Sequence, residues 1–152
     1  VAAADLPYWH EATAELRLIV GTYKGRTAPT THFSPIFYVG AVAAPGAKFA
    51  VSPEHEERGI YVAEGSLMLG DRQLMVGDLA VLARGAAAEL VAGASGAKAM
   101  LLGGSALDGP RHIWWNFVSS SKERIEKAKA DWKEGRFGKV SGDDEFIPLP
   151  ER

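Results

Sequence analysis

The chain has 152 residues, 47% of them apolar, enough for a single domain with a substantial core. Its formal net charge is −2 with no basic stripe, which argues against direct nucleic-acid binding. With no cysteine it can form no disulfide, thiolate metal site or cysteine nucleophile, and no apolar run approaches the ~18 residues of a membrane span.

The start, Val1-Ala2-Ala3-Ala4-Asp5, has neither the positive stretch nor the long apolar run of a signal peptide, and a cytoplasmic location is expected. It lacks an initiator Met, so the natural product is expected to begin further upstream. Residues 1–14 read as a lead-in segment anchored by Tyr8 and Trp9. Glu15 to Val20 alternates and then turns apolar, a first strand. Gly21 to Pro35 is loop. Ile36 to Val42 is a strand, Pro45-Gly46 a turn, and Ala47 to Val51 a short strand. After the charged run Glu54-His55-Glu56-Glu57-Arg58 come two strands, Ile60–Ala63 and Ser66–Leu69, separated at Glu64-Gly65. Gln73–Val76 and Leu79–Leu82 follow. Ala88–Val91 and Lys98–Leu102 are expected to form a hairpin around Gly93 to Gly96. His112 to Val118, with Trp114, Trp115 and Phe117, is a last strand. Turn signals every ~8–12 residues, without a βαβ rhythm, mark a sandwich or barrel.

One helix stands out. Ser120 and Glu123 make a capping box, Ile125, Ala128 and Trp132 share a face, Glu123 and Lys127 pair across a turn, and Gly135 supplies the stop. Trp132 is expected to anchor this helix on the barrel. The predicted organisation is a lead-in over 1–14, a barrel over 15–118, a helical segment over 119–135 and an extended acidic tail over 136–152. Phe37 or Tyr38, Tyr61, Met68, Met75 and Met100 are the expected inward residues.

Three stretches together resemble the C-terminal domain of the pirin family, within the cupin superfamily. They are Thr31 to Tyr38 leading to Pro45-Gly46-Ala47, Ile60 to Ser66 followed by Gly77 to Leu82, and Trp115-Asn116-Phe117-Val118 with the Ser-rich helix start and the Gly135-Arg136-Phe137-Gly138 ending. The strand-to-helix ending is the specific part. The resemblance implies an all-β cupin-type double-stranded β-barrel (jelly roll) with one C-terminal α-helix. It also implies a full-length protein of two tandem barrels, whose N-terminal barrel holds iron through three His and one Glu. Family members are linked to quercetin-type dioxygenation and to transcriptional co-regulation. This sequence resembles only the second barrel, so iron is expected in a full-length pirin-like protein and no cofactor in this chain.

A cupin metal site needs two His one residue apart on a strand, a Glu a few residues on, and a third His from a later strand. Here His10, His32, His55 and His112 lie at least 22 positions apart, and Leu79 to Leu102 contains no His. His55, Glu57 and Glu64 are the weak metal candidates. The plainer reading makes the run around His55 a solvated loop and Glu64 a strand end. Tyr8, Trp9, His112, Trp114 and Trp115 are interface or pocket candidates. His10 and His32 read as surface or interdomain packing residues. No G-x-S-x-G, Walker or dinucleotide-binding glycine pattern is present. The leading expectation is therefore a non-catalytic barrel with a structural, partner-binding or regulatory role, whose partner is another cupin domain or a second copy. An iron-dependent quercetin-type dioxygenase and a metal-free small-molecule binder are the alternatives.

Overall fold

The computed structural model describes residues 1–150. The chain folds as two compact units, Val1–Ala106 and Leu107–Arg152. The first contains β1 (Tyr8–Glu11), β2 (Ala14–Tyr23), β3 (Arg26–Thr27), β4 (Ile36–Ala43), β5 (Lys48–Val51), β6 (Glu57–Leu69), β7 (Arg72–Met75), β8 (Leu79–Leu82) and β9 (Ala88–Gly104). They bond in the order β1-β2-β4-β9-β6-β7, with β3 on β2, β5 on β9 and β8 on β6. The two long strands each serve both sides of the fold. The first half of β9 pairs with β5 and the end of β6, and its second half pairs with β4 and the start of β6. Two antiparallel sheets that share bent strands make a jelly-roll barrel, as the cupin resemblance implies.

The long strands differ from the expected hairpins. Residues 57–69 and 88–104 are continuous, because glycines bend the chain where turns were expected to reverse it. Gly65 (φ +70°) pairs with Ala97, beside Gly96 (φ +76°), and a Cβ on Gly65 would lie 2.1 Å from the Gly96 carbonyl oxygen. Both strands therefore bend at one point where no side chain fits. The lead-in also contributes a strand, β1, paired with β2 from Tyr8↔Arg17 to Glu11↔Ala14.

Alternation decides what fills the barrel. Along β4, Phe37, Val39, Ala41 and Ala43 are buried while Tyr38 and Val42 face outward. Leu16, Leu18, Tyr23, Phe49, Ile60, Val62, Leu67, Leu74, Leu90 and Leu101 complete a continuous core. Of the expected inward residues only Phe37 is there. Tyr38, Tyr61 and Met75 are 38%, 40% and 52% exposed, and Met68 and Met100 are half-buried. The interior is packed with Leu, Val, Ala and aromatic side chains rather than lined by methionines.

The second unit holds β10 (His112–Trp114), β11 (Phe117–Ser119) and α1 (Lys122–Lys133). The single strand expected over 112–118 is a tight hairpin, with Ile113 opposite Val118 and Trp115 at φ +49° in the turn. The helix is capped by Ser121, not Ser120: its hydroxyl accepts from the Arg124 N–H and donates to Glu123. Lys127 pairs with Asp131 rather than with Glu123. Gly135, at φ +67°, ends the helix as expected. Residues 137 and 146 of the expected tail return Phe137 and Phe146 to Trp132, and residues 151 and 152 lie outside the described residues. Among the described residues no helix is long and apolar enough to cross a membrane.

Candidate functional site

One cluster of polar residues, Glu11, Tyr23, Lys24, Ser52, Glu54, His55 and Arg58, forms around the end of β2, the loop after β5 and the start of β6, the polar end of the barrel. Tyr23 is fully buried and stacks on Phe37 at 4.7 Å between ring centroids. Its hydroxyl accepts the Ser52 N–H at 2.8 Å and lies 3.4 Å from the Ala50 carbonyl. Burial pushes this phenol up to about 12, reinforced by the charges of Glu11 and Glu54 and opposed by the Ser52 N–H and Arg58. Glu11 ties β1 to the β2–β3 turn and to β5, accepting from Trp9 Nε1 at 3.0 Å, Lys24 Nζ at 2.6 Å and the Ala50 N–H at 3.2 Å. Burial raises its pKa, but these donors outweigh it and hold the carboxyl below the usual range. Glu54 accepts the Lys24 N–H at 2.7 Å.

The metal candidates do not converge. His55 lies against Phe37, with centroids 4.8 Å apart, and its Nε2 is 2.8 Å from the Thr22 carbonyl, which fixes Nε2 as the protonated nitrogen. Glu57 is exposed on the first residue of β6. Glu64 lies seven positions along the same strand and pairs with Lys98 at 3.0 Å. Among the described residues no three His, Asp or Glu side chains come together as a metal site. The buried charged side chain at this end is instead Arg58, 2% exposed. A guanidinium offers only donors and repels a metal ion, so these residues do not fit iron. Arg58 is not among the residues that the sequence singles out. Its signal was parity: residues 58, 60 and 62 share the inward face of one strand.

The outer face of the sheet is unusually apolar. Register places Tyr38, Leu102, Gly59 and Val81 in one cross-strand row, and Gly40, Met100, Tyr61 and Leu79 in the next. Leu79 and Val81 are 55% and 79% exposed. Two open hollows lie beside these glycines. One, of about 350 Å³, is lined by Ile19, Gly40, Val42 and Met100 with Arg17 and Lys98 at its edge; the other, of about 490 Å³, by Gly59, Leu79, Val81 and Leu102 with Glu56, Glu57 and Arg84. Charges rim the patch: Lys98 with Glu64 at one end, Arg84 with Glu56 at the other.

The interface candidates divide. Trp9 is buried in the barrel core, where Arg26 covers its ring at 4.6 Å, so it offers no surface for docking. Tyr8 is 45% exposed, hydrogen-bonded to His10 at 3.1 Å and covered by Arg17. His32 Nδ1 sits 3.1 Å from the Thr30 carbonyl. In the second unit His112 opens β10 opposite Ser119. Trp114 carries the Lys129 ammonium 4.3 Å from its ring centroid and stacks on Phe117. Trp115 packs edge-on against Trp132 at 5.2 Å. Trp132 is the hub of that unit, touching Phe117, Phe137 and Phe146 as well and donating Nε1–H to the Ile147 carbonyl at 2.8 Å.

Comparison with known proteins agrees with this architecture. Residues 38–138 match the family model of the pirin C-terminal cupin domain. A pirin-like protein of Caulobacter vibrioides is 44% identical over 149 residues, which is 97% of this chain and 51% of that protein. Two crystal structures of quercetin 2,3-dioxygenase from Acinetobacter baumannii align with TM-scores of 0.85 and 0.81 at 25% and 26% identity. They cover 97% and 91% of this chain, and 51% and 49% of theirs is covered in return. The chain spans about half the length of the curated relatives it matches.

Proposed function

The chain belongs to the pirin family, and from that premise we propose that it is a non-catalytic cupin barrel that holds no metal and docks against a second barrel. The observation that carries this reading is the charge at the polar end of the barrel. A metal centre there would need converging imidazoles and carboxylates; the buried ionic group is the cation Arg58, and His55 is committed to a backbone carbonyl.

The docking face is the outer sheet surface of Tyr38, Tyr61, Leu79, Val81, Met100 and Leu102. An exposed apolar sheet face with a charged rim is what an interface needs, and its two glycine hollows would receive protruding side chains. This chain covers 51% of the Caulobacter relative, and the uncovered part of that protein is the partner this reading assigns. The test is co-expression with the separately encoded other half of the Caulobacter relative. The wild-type chain is expected to co-elute with it, and Tyr61→Asp and Val81→Asp variants are expected to elute alone. Pairing that survives both substitutions, or a wild type that elutes alone or only with itself, would overturn the docking assignment.

A second reading, dioxygenation of a flavonol, draws on the name of the two Acinetobacter structures. In those relatives the activity belongs to chains about twice as long. Supplied with ferrous iron and quercetin, this chain is expected to give no turnover above buffer. Turnover that disappears in a His55→Ala variant would favour the second reading instead.

A further inference from the structure

A guanidinium that is 2% exposed has lost nearly all its hydration, a loss usually offset by a carboxylate. Among the described residues no carboxylate pairs with Arg58. Its charge is met by three backbone carbonyl oxygens: Ala83 at 2.6 Å from one terminal nitrogen, Ala86 at 2.7 Å and Ser52 at 3.3 Å from the other. Its Nε is buried without a partner.

These carbonyls come from two separate loops, residues 52–56 between β5 and β6 and residues 83–87 between β8 and β9. The second, Ala83-Arg84-Gly85-Ala86-Ala87, has no large apolar side chain to hold it down. Within it the Ala86 N–H reaches the Ala83 carbonyl at 3.3 Å. The first loop is tied to the core through Ser52, whose N–H meets the Tyr23 hydroxyl while its carbonyl meets Arg58. On the neighbouring strand Gly103 lets β9 lie close against the start of β6: a Cβ there would sit 2.1 Å from the Glu57 carbonyl oxygen and 2.6 Å from Phe37 Cε1.

We propose that Arg58 is the barrel's own resident cation. Its planar fork fills a carbonyl-lined niche that selects a guanidinium, clamps the two loops together and closes this end of the barrel against metal ions and small molecules. A guanidinium directs donors along fixed, divergent lines and so reaches acceptors on two loops at once, whereas an ammonium is a compact, strongly hydrated point charge. A divalent metal would find only neutral carbonyls there, without the imidazole or carboxylate donors it prefers.

The test is an Arg58→Ala variant followed by amide hydrogen exchange. Exchange at Ser52 and Ala86 is expected to rise about tenfold or more, as a local opening of these loops. n-Propylguanidinium, which replaces the missing side chain, should restore protection. Equal concentrations of n-propylammonium, potassium or ferrous iron should not. Unchanged exchange in a folded variant, or restoration by ferrous iron or equally by every cation, would overturn the proposal. If Arg58→Ala does not fold, the wild type decides. The terminal N–H protons of Arg58 should show hindered rotation and slow solvent exchange by NMR, and a freely rotating, rapidly exchanging guanidinium would refute the clamp. Docking to a second barrel is read by co-elution and not by loop exchange, so the two ideas can fail separately.

Discussion

Raising the pH should destabilise the barrel through one phenol. Tyr23 is buried between Phe37 and the Ser52 backbone, and its pKa is pushed from 10.0 to about 12. The group is neutral in both folded and unfolded chains below pH 10. Between pH 10 and 12 the unfolded chain loses this proton and the folded chain keeps it. The unfolded state then binds fewer protons, so stability is complete below pH 10 and falls as pH rises through the folded value. Two pKa units at ~1.4 kcal/mol each amount to about 3 kcal/mol, a large part of the ~5–15 kcal/mol that holds a domain together. The assay is denaturant unfolding followed by tryptophan fluorescence across this range, for the wild type and Tyr23→Phe. The variant keeps the ring stack but leaves the Ser52 N–H without its acceptor, so it should start about 1–3 kcal/mol less stable at neutral pH. It should then lose less with rising pH, so the two curves converge by pH 12. Groups away from Tyr23 contribute equally to both proteins and cancel in the difference. Parallel loss of stability in the two proteins would mean that Tyr23 is not the group responsible.

Glu11→Gln should cost about 1–3 kcal/mol, because the amide meets Lys24 without a charge and cannot accept three donors equally. The wild-type carboxyl is held below its usual range, so its contribution is present above about pH 4.5 and lost as pH falls through the folded value; acid unfolding of the variant should therefore be shallower in that window. Gly21→Ala should cost about 3 kcal/mol or more or prevent folding, since the position has φ +85° and a Cβ there would sit 1.7 Å from the Ile36 carbonyl oxygen; circular dichroism melting reads this. Leu101→Ala, in the middle of β9 and fully buried, should cost about 2–5 kcal/mol in urea denaturation. Val81→Asp, on the exposed outer face, should change the stability of the isolated chain by no more than about 0.5 kcal/mol, which would separate loss of docking from loss of folding.

The barrel was legible because its strands obey simple rules. Ile36 to Val42 alternates, Gly70-Asp71 and Gly77-Asp78 turn, and the structure places strands and turns there. The long strands were not legible. Glycine next to a charged residue signals a reversal, and only the pairing of β6 with β9 shows that Gly65 and Gly96 bend the strands instead. Inward residues were misassigned because size and apolarity were read before parity. Tyr61 and Met100 face out, opposite each other, while the short Ala41 and Ala99 fill the interior. Arg58 was hidden for a related reason. In sequence it closes a charged run, and only its place two residues before Ile60 on an inward face shows that it must be buried. Trp9 looked like a surface anchor because it lies near the chain start, yet β1 pairs along β2 and turns that ring into the core.

The assignment of Arg58 implies a barrel that carries its own cation and holds no metal. The most direct measurement is elemental analysis of the purified chain after incubation with excess ferrous iron and desalting. Iron is expected far below one equivalent, in the wild type and in Glu57→Ala and Glu64→Ala variants alike. Near-stoichiometric iron in the wild type, lost on substituting His55, would contradict it.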